Sequence, residues 1–272
     1  MLIQAFGTSN TFGNCGEDNL ISLDSTWPYI LASKANVSVE NLSCIAITNP
    51  ELGVMLDYYI KPNSIVIAEL NHPTRPRAGV SFDGLASPDN ITRLHDKLDK
   101  RDLVTREAYE KGGLPLENNN LPSHFVPISP PKDVTKRIVK HMEDQQLREF
   151  ANDANLLAKS LSKHWIFSTS YVVDQFALVC MMKAICDKHN STFMFYGWHG
   201  DFRSCILPGW ATIIEQLVPQ NLLTGVKKSY FKDYNKEAWE KETCSDGHQN
   251  EVIHKYVAEK IYEETMGIWN QS

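Results

Sequence analysis

The sequence predicts an α/β protein in three layers, a central parallel β-sheet with helices packed on both faces (an α/β/α sandwich). Three observations predict it. Two apolar runs, Leu2-Ile3-Gln4-Ala5-Phe6 and Ser64 to Leu70, read as buried strands, because strands covered on both faces carry near-continuous hydrophobic runs. Between them apolar residues recur at helical spacing, so the first 70 residues alternate strand, helix, strand, helix, strand. The 272 residues suffice for one large α/β domain, read as residues 1–272 with an insertion at about 76–133.

Each element has its own signal. The first strand breaks at Gly7-Thr8-Ser9-Asn10-Thr11-Phe12-Gly13, a sharp turn that sets Ser9 at the carboxyl end of the strand, the edge where open α/β sheets bind ligands. Asn14 to Thr26 reads as a polar loop, and Trp27 to Ala32 as a short helix with Thr26 or Ser25 as N-cap and Pro28 in its first turn. Val37 to Leu42 leads into the second strand, and Cys44 falls in a strand as well. Apolar residues at 52, 55, 56 and 59 predict a helix over Asn49 to Tyr59, which Ile60-Lys61-Pro62-Asn63 ends before the third strand.

The rhythm then stops. Residues 76–133 are rich in Pro, Gly, Asn, Asp and Lys and too long for a plain connection, so they read as an insertion over the sheet edge, either a lid or substrate-binding element or a surface loop without a role. Helical spacing resumes from Val134 to about Lys163, and again from Asp174, as N-cap, to Lys188. Phe193-Met194-Phe195-Tyr196 is the next strand, and Trp210 to Val218 is a short apolar stretch. The basic and aromatic run Lys227 to Lys232 reads as a solvated face or subunit contact, which leaves a homo-oligomer open. Ile253, Val257 and Ile261 predict a last helix over Glu251 to Met266.

Composition excludes several classes. A formal net charge of −6 argues against nucleic-acid and anionic-membrane partners, which want a basic surface. No apolar run approaches a membrane span, and Leu2 to Phe6 lacks the basic and apolar regions of a signal peptide, so the expectation is a cytoplasmic protein. Six cysteines at 15, 44, 180, 186, 205 and 244 include no C-x-x-C pair; Cys44, Cys180 and Cys186 read as buried free thiols, and a reducing compartment fits best. Cys180, Cys186 and His189 have the wrong spacing for a standard zinc site. No G-x-G-x-x-G or P-loop follows the first strand, so nucleotide binding is disfavoured and no cofactor is implied.

The residues that carry chemistry lie near the two ends of the chain. A serine hydroxyl is a poor nucleophile until a base takes its proton, and histidine is the side chain suited to that. Ser245-Asp246-Gly247-His248 is a tight polar turn before the last helix, in which Asp246 could accept from the His248 Nδ1–H and leave Nε2 facing Ser9. His199 and Asp201, after the Phe193–Tyr196 strand, form a rival pair, although no helix pattern follows them directly.

These paired blocks resemble those of the SGNH hydrolases, also called the GDSL family. Two middle blocks are similar too, Asn41 to Asn49 to the second and Ile65 to His72 to the third. The resemblance implies a flavodoxin-like sandwich and a serine esterase with Ser9 as nucleophile, His248 as base and Asp246 orienting it. It implies an oxyanion hole from the Ser9 N–H, the Ala46 N–H (or that of Ile47, one residue on) and the Asn71 side chain. Thr8 stands where the family usually has aspartate, Ala46 where glycine is usual and His72 where aspartate follows the asparagine. Those departures keep a non-catalytic binding or structural module open as the alternative.

The substrate class implied is a small-molecule or carbohydrate ester. His72, Trp198 and His199 are candidates to line its pocket, tryptophans 27, 198 and 210 either to stack on a sugar or, the default for tryptophan, to pack in the core, and Arg75, Arg77 and Arg203 either to meet an anionic group or to stay solvated. The nucleophile block followed by Thr26-Trp27-Pro28 is also similar to hydrolase-like proteins of bacteriophage genomes, which would allow association with a virion.

Overall fold

The computed structural model describes residues 1–15, 20–44, 47, 49–70, 77–79, 105–111, 125–127, 169–198, 212–213, 216, 225–245 and 247–269. The chain divides into two compact units, Met1–His72 with Leu103–Pro115 and Val172–Ser272, and Pro73–Asp102 with Leu116–Tyr171. In the second unit β4 (Arg77–Gly79) and β5 (Phe125–Pro127) pair antiparallel, Ala78 opposite Val126.

The first unit is built on a four-stranded sheet of β1 (Leu2–Phe6), β2 (Ser38–Asn41), β3 (Ile65–Leu70) and β6 (Thr192–Gly197), in the order β2-β1-β3-β6. Its three pairings are parallel, with Ile3 opposite both Val39 and Ile65, and Ala68 opposite Phe195. All six residues of β3 are buried, as a central strand with both faces covered requires. Gln4 interrupts the apolar run of β1 without cost because its amide is satisfied. Nε2 donates to Glu40 Oε2 and the Tyr59 carbonyl, and Oε1 accepts from Lys61 N and Ser64 Oγ, at 2.8–3.0 Å.

Strand order dictates the layers. From β1 the chain steps outward to β2 through α2 (Trp27–Ala35), then doubles back past β1 to β3 through α3 (Asn49–Tyr59) and on to β6 through α5 (Thr169–Lys188). Right-handed crossovers in opposite directions put α2 on one face and α3 and α5 on the other. Packing agrees. Ile3, Ile65, Ile67 and Met194 share a core with Trp27 and Leu31 of α2 and with Ile253, Val257 and Ile261 of the last helix, α8 (Glu251–Trp269). On the opposite face a Cβ added at Gly53 of α3 would meet Met181, Leu178 and Met182 of α5. The reversal between β1 and β3 is the switch point at which such sheets open a crevice at their carboxyl ends.

The structure corrects several expectations. α5 starts at Thr169, five residues before Asp174, so Asp174 is an interior helical residue and not a cap. Thr26 takes the N-cap position of α2, but its hydroxyl donates to the Leu23 carbonyl at 2.7 Å in place of capping. Cys44 lies beyond the end of β2, in an isolated bridge to Thr105. Within the stretch read as an insertion, α4 (Arg106–Glu110) belongs to the sheet's own unit, because Thr105 and Arg106 pair with the chain after β2. Cys15 and Cys244 form a disulfide, which the reducing compartment read from the sequence did not anticipate, whereas Cys44, Cys180 and Cys186 keep their thiols.

The Lys227 to Lys232 run lies within α6 (Val226–Asp233), where the Lys227 ammonium sits over the rings of Phe231 and of Trp239 in α7 (Lys236–Lys241). Among the described residues no helix is long and apolar enough to cross a membrane. The helical pattern of 134–163 and the Trp210 to Val218 stretch, apart from positions 212, 213 and 216, lie outside the described residues.

Candidate active site

Two residues after β1 the chain turns into α1 (Ser9–Phe12), a single helical turn that closes at Gly13 with φ +89°. Glycine fits there because other residues are strained in the left-handed region, and the Gly13 N–H reaches the Ser9 and Asn10 carbonyls. The turn is braced from neighbouring strands. Asn41 at the end of β2 donates to the Thr11 carbonyl at 3.0 Å, and the Cys44 N–H to the Gly7 carbonyl at 3.0 Å. Arg106, 2% exposed, clasps the far side, donating to the Phe12 and Ile21 carbonyls at 3.0 and 3.1 Å while pairing with Glu110 at 2.5 Å.

The C-terminal block is a closed hairpin. The Cys244 N–H donates to the His248 carbonyl at 2.6 Å, the Gly247 N–H to the Cys244 carbonyl, and Thr243 bridges Gln249. Gly247, at φ +89°, supplies the left-handed residue such a turn needs. Gln249 is buried, with Nε2 donating to the Gly247 carbonyl and Oε1 accepting from the Trp198 indole at 2.6 Å. Asn250 then accepts the Val252 N–H at 3.0 Å and caps α8.

These two loops meet. His248 Nε2 lies 2.7 Å from Ser9 Oγ, across a sequence separation of 239, and Ser9 is only 6% exposed. On the other side of the imidazole, the Asn14 side-chain amide is 3.4 Å from Nδ1. The Cys15–Cys244 disulfide, with Cα atoms 5.5 Å apart, ties the residue after Asn14 to the base of the His248 hairpin.

Not every expected site residue falls within view. Asp246, Ala46, Asn71, His72 and His199, and with them Arg75, Asp201 and Arg203, lie outside the described residues. Trp198, expected in a substrate pocket, is 1% exposed and packs in the core, its ring 5.8 Å from that of His254. Trp27 is fully buried as well, donating from Nε1 to Thr11 Oγ1 at 3.0 Å. Large aromatic faces lose most by staying wet, so core packing, the default for tryptophan, holds for both, and neither ring is exposed to stack on a sugar.

Asn14, Arg106, Glu69 and the disulfide were not singled out as site residues from the sequence. A glutamate inside the apolar run of β3 was a signal in itself. The cysteines nearest the Ser9 and His248 blocks, at 15 and 244, were another once the blocks are taken to converge.

No family model matches this chain, and no curated protein matches it. Among solved structures it is similar to one described as a "putative lipolytic protein of G-D-S-L family" from Desulfitobacterium hafniense DCB-2. That likeness covers 97% of this chain and 98% of the other at 11% identity and a TM-score of 0.34. At that score it carries no argument about this chain, and nothing in it points to a bacteriophage protein. The α/β architecture with a parallel sheet stands on the strand pairings themselves.

Proposed function

We propose that this chain is a serine hydrolase acting on ester bonds, with Ser9 as nucleophile and His248 as its base. The observation that carries the reading is the 2.7 Å approach of His248 Nε2 to Ser9 Oγ at the switch point of the sheet. At that distance the imidazole can take the hydroxyl proton as Oγ attacks a carbonyl, and return it to the leaving alcohol. Water then attacks the acyl-enzyme, with the same histidine as base.

For Nε2 to accept, Nδ1 must carry the ring proton and needs an acceptor. Asp246 is one candidate. Asn14 is the other, since a half-turn about Cβ–Cγ presents its amide oxygen to Nδ1 in place of the nitrogen. As the first residue of α1, Ser9 has an N–H without an intrahelical acceptor, available to a developing oxyanion. Ala46 and Asn71 are the proposed partners in that hole, where one well-placed donor is worth about 3 kcal/mol of barrier. An O-acetylated carbohydrate or other small ester is the proposed substrate class.

Ser9→Ala should abolish turnover of p-nitrophenyl acetate and labelling by a fluorophosphonate. A wild-type protein that stays unlabelled at Ser9 would instead favour a binding or structural module, and turnover retained by Ser9→Ala would remove Ser9 from the mechanism.

A further inference from the structure

The third strand carries a carboxylate where its neighbours are Ile, Val, Ala and Leu. Glu69 is fully buried, in a central strand whose six residues are all buried. Such a charge is tolerated only where hydrogen bonds replace its water. Among the described residues no lysine, arginine or histidine pairs with it; its partners are donors from the nucleophile turn. Oε1 accepts from Thr8 Oγ1 at 2.8 Å and Asn10 Nδ2 at 3.3 Å. Oε2 accepts from the Thr11 N–H at 3.0 Å, the Thr8 N–H at 3.4 Å and, more closely, Thr11 Oγ1.

The distribution of these donors is informative. Thr8, Asn10 and Thr11 all direct their side chains onto one carboxylate, and Ser9, in their midst, alone directs its hydroxyl elsewhere, to His248. The two backbone N–H groups can only donate, so they match a carboxylate, which can only accept. Gly7 makes room independently, since a Cβ there would come within 2.9 Å of Glu69 Oε2. The Thr11 hydroxyl passes the constraint outward, accepting from the Trp27 indole and lying 3.3 Å from the Tyr196 hydroxyl, on the residue opposite Glu69 in β6. Thr8 stands where the family it resembles usually has an aspartate, and here an acid comes from the neighbouring strand β3.

We propose that Glu69 is the positioning residue of the nucleophile, its buried carboxylate holding the 8–11 turn so that Ser9 Oγ stays at His248 Nε2. The proposal rests on the hydrolase reading for its consequence in rate, and on geometry alone for its consequence in structure. A displacement of about 1 Å at a reacting atom costs roughly 100-fold.

Glu69→Gln turns one acceptor into a donor facing donors. In the full chain with its disulfide intact, it should lower kcat on p-nitrophenyl acetate by roughly 100-fold with KM little changed, and slow fluorophosphonate labelling equally. Glu69→Asp, which keeps the charge, should recover part of that loss. A role in folding alone would lower yield and melting temperature but leave kcat per folded molecule intact, and that result would overturn the proposal.

If the wild type neither hydrolyses nor labels, the hydrolase reading fails and Glu69 is judged by a crystal structure of Glu69→Gln. A Ser9–His248 contact still at hydrogen-bond length would overturn the positioning role, and a broken one would support it. Should Glu69→Gln not fold, Thr8→Val, which removes a single donor, is read by the same split between kcat and KM, an unchanged kcat overturning the proposal.

Discussion

At the scale of single residues, His254 is a buried histidine with a purely structural part. It is fully buried at the start of α8, and Nδ1 accepts the Trp27 N–H at 3.1 Å, joining that helix to the first residue of α2. Burial, aided by the nearby Arg106 guanidinium, pushes its pKa from 6.5 down to about 3. Because the folded-state value is depressed, the unfolded chain binds the proton first on acidification. Stability is therefore unaffected above pH 6.5 and falls between pH 6.5 and about 3, by about 1.4 kcal/mol per pH unit. His254→Asn keeps an acceptor for Trp27 and removes the titration. Urea unfolding at pH 7 and pH 5 should show the variant losing less stability than the wild type on acidification, and equal losses would contradict this account.

At the scale of elements, the geometry of the site is a matter of how a four-residue helix is fitted against its neighbours. Gly7 is the tightest point, because a Cβ there would lie 2.6 Å from Thr11 Cβ as well as against Glu69. Gly7→Ala should therefore shift α1 off β3, lowering stability by about 1–3 kcal/mol and, on the proposed hydrolase reading, lowering turnover by more than the loss of folded protein explains. Thermal melts together with initial rates per folded molecule would check both. At the other end, α8 anchors the His248 hairpin. Ile253, Val257 and Ile261 are fully buried against α2 and the sheet, and Lys34 pairs with Glu259 at 3.9 Å on the rim. The apolar stripe does the anchoring, since an exposed pair of that kind is worth at most about 1 kcal/mol.

At the scale of the whole molecule, the site joins segments from near both ends of the chain, and the Cys15–Cys244 disulfide closes that meeting covalently across a separation of 229 residues. A cross-link over so long a loop restricts the unfolded chain strongly, with about 2–4 kcal/mol the usual gain. The paired Cys15→Ser and Cys244→Ser variant, or dithiothreitol treatment of the wild type, should lower the melting temperature and reduce turnover by loosening Asn14 and the His248 hairpin together. Unchanged rates after mass spectrometry confirms reduction would show that the hydrogen bonds suffice without it. By itself the sequence determined the parallel sheet, α3 from Asn49 to Tyr59 and the amphipathic start of α8, because burial on two faces or one imprints a local period on the residues. It also marked Ser9 and His248 as chemically apt, since a nucleophile and a base are recognisable by type beside their turns. Only the tertiary structure decided that Cys15 meets Cys244, that Arg106 folds back over Phe12, that Trp198 is core, and that Glu69 gathers the donors around Ser9. Those are contacts between residues far apart in the chain, and no local period records which distant partner a polar side chain will find once strands and helices have packed.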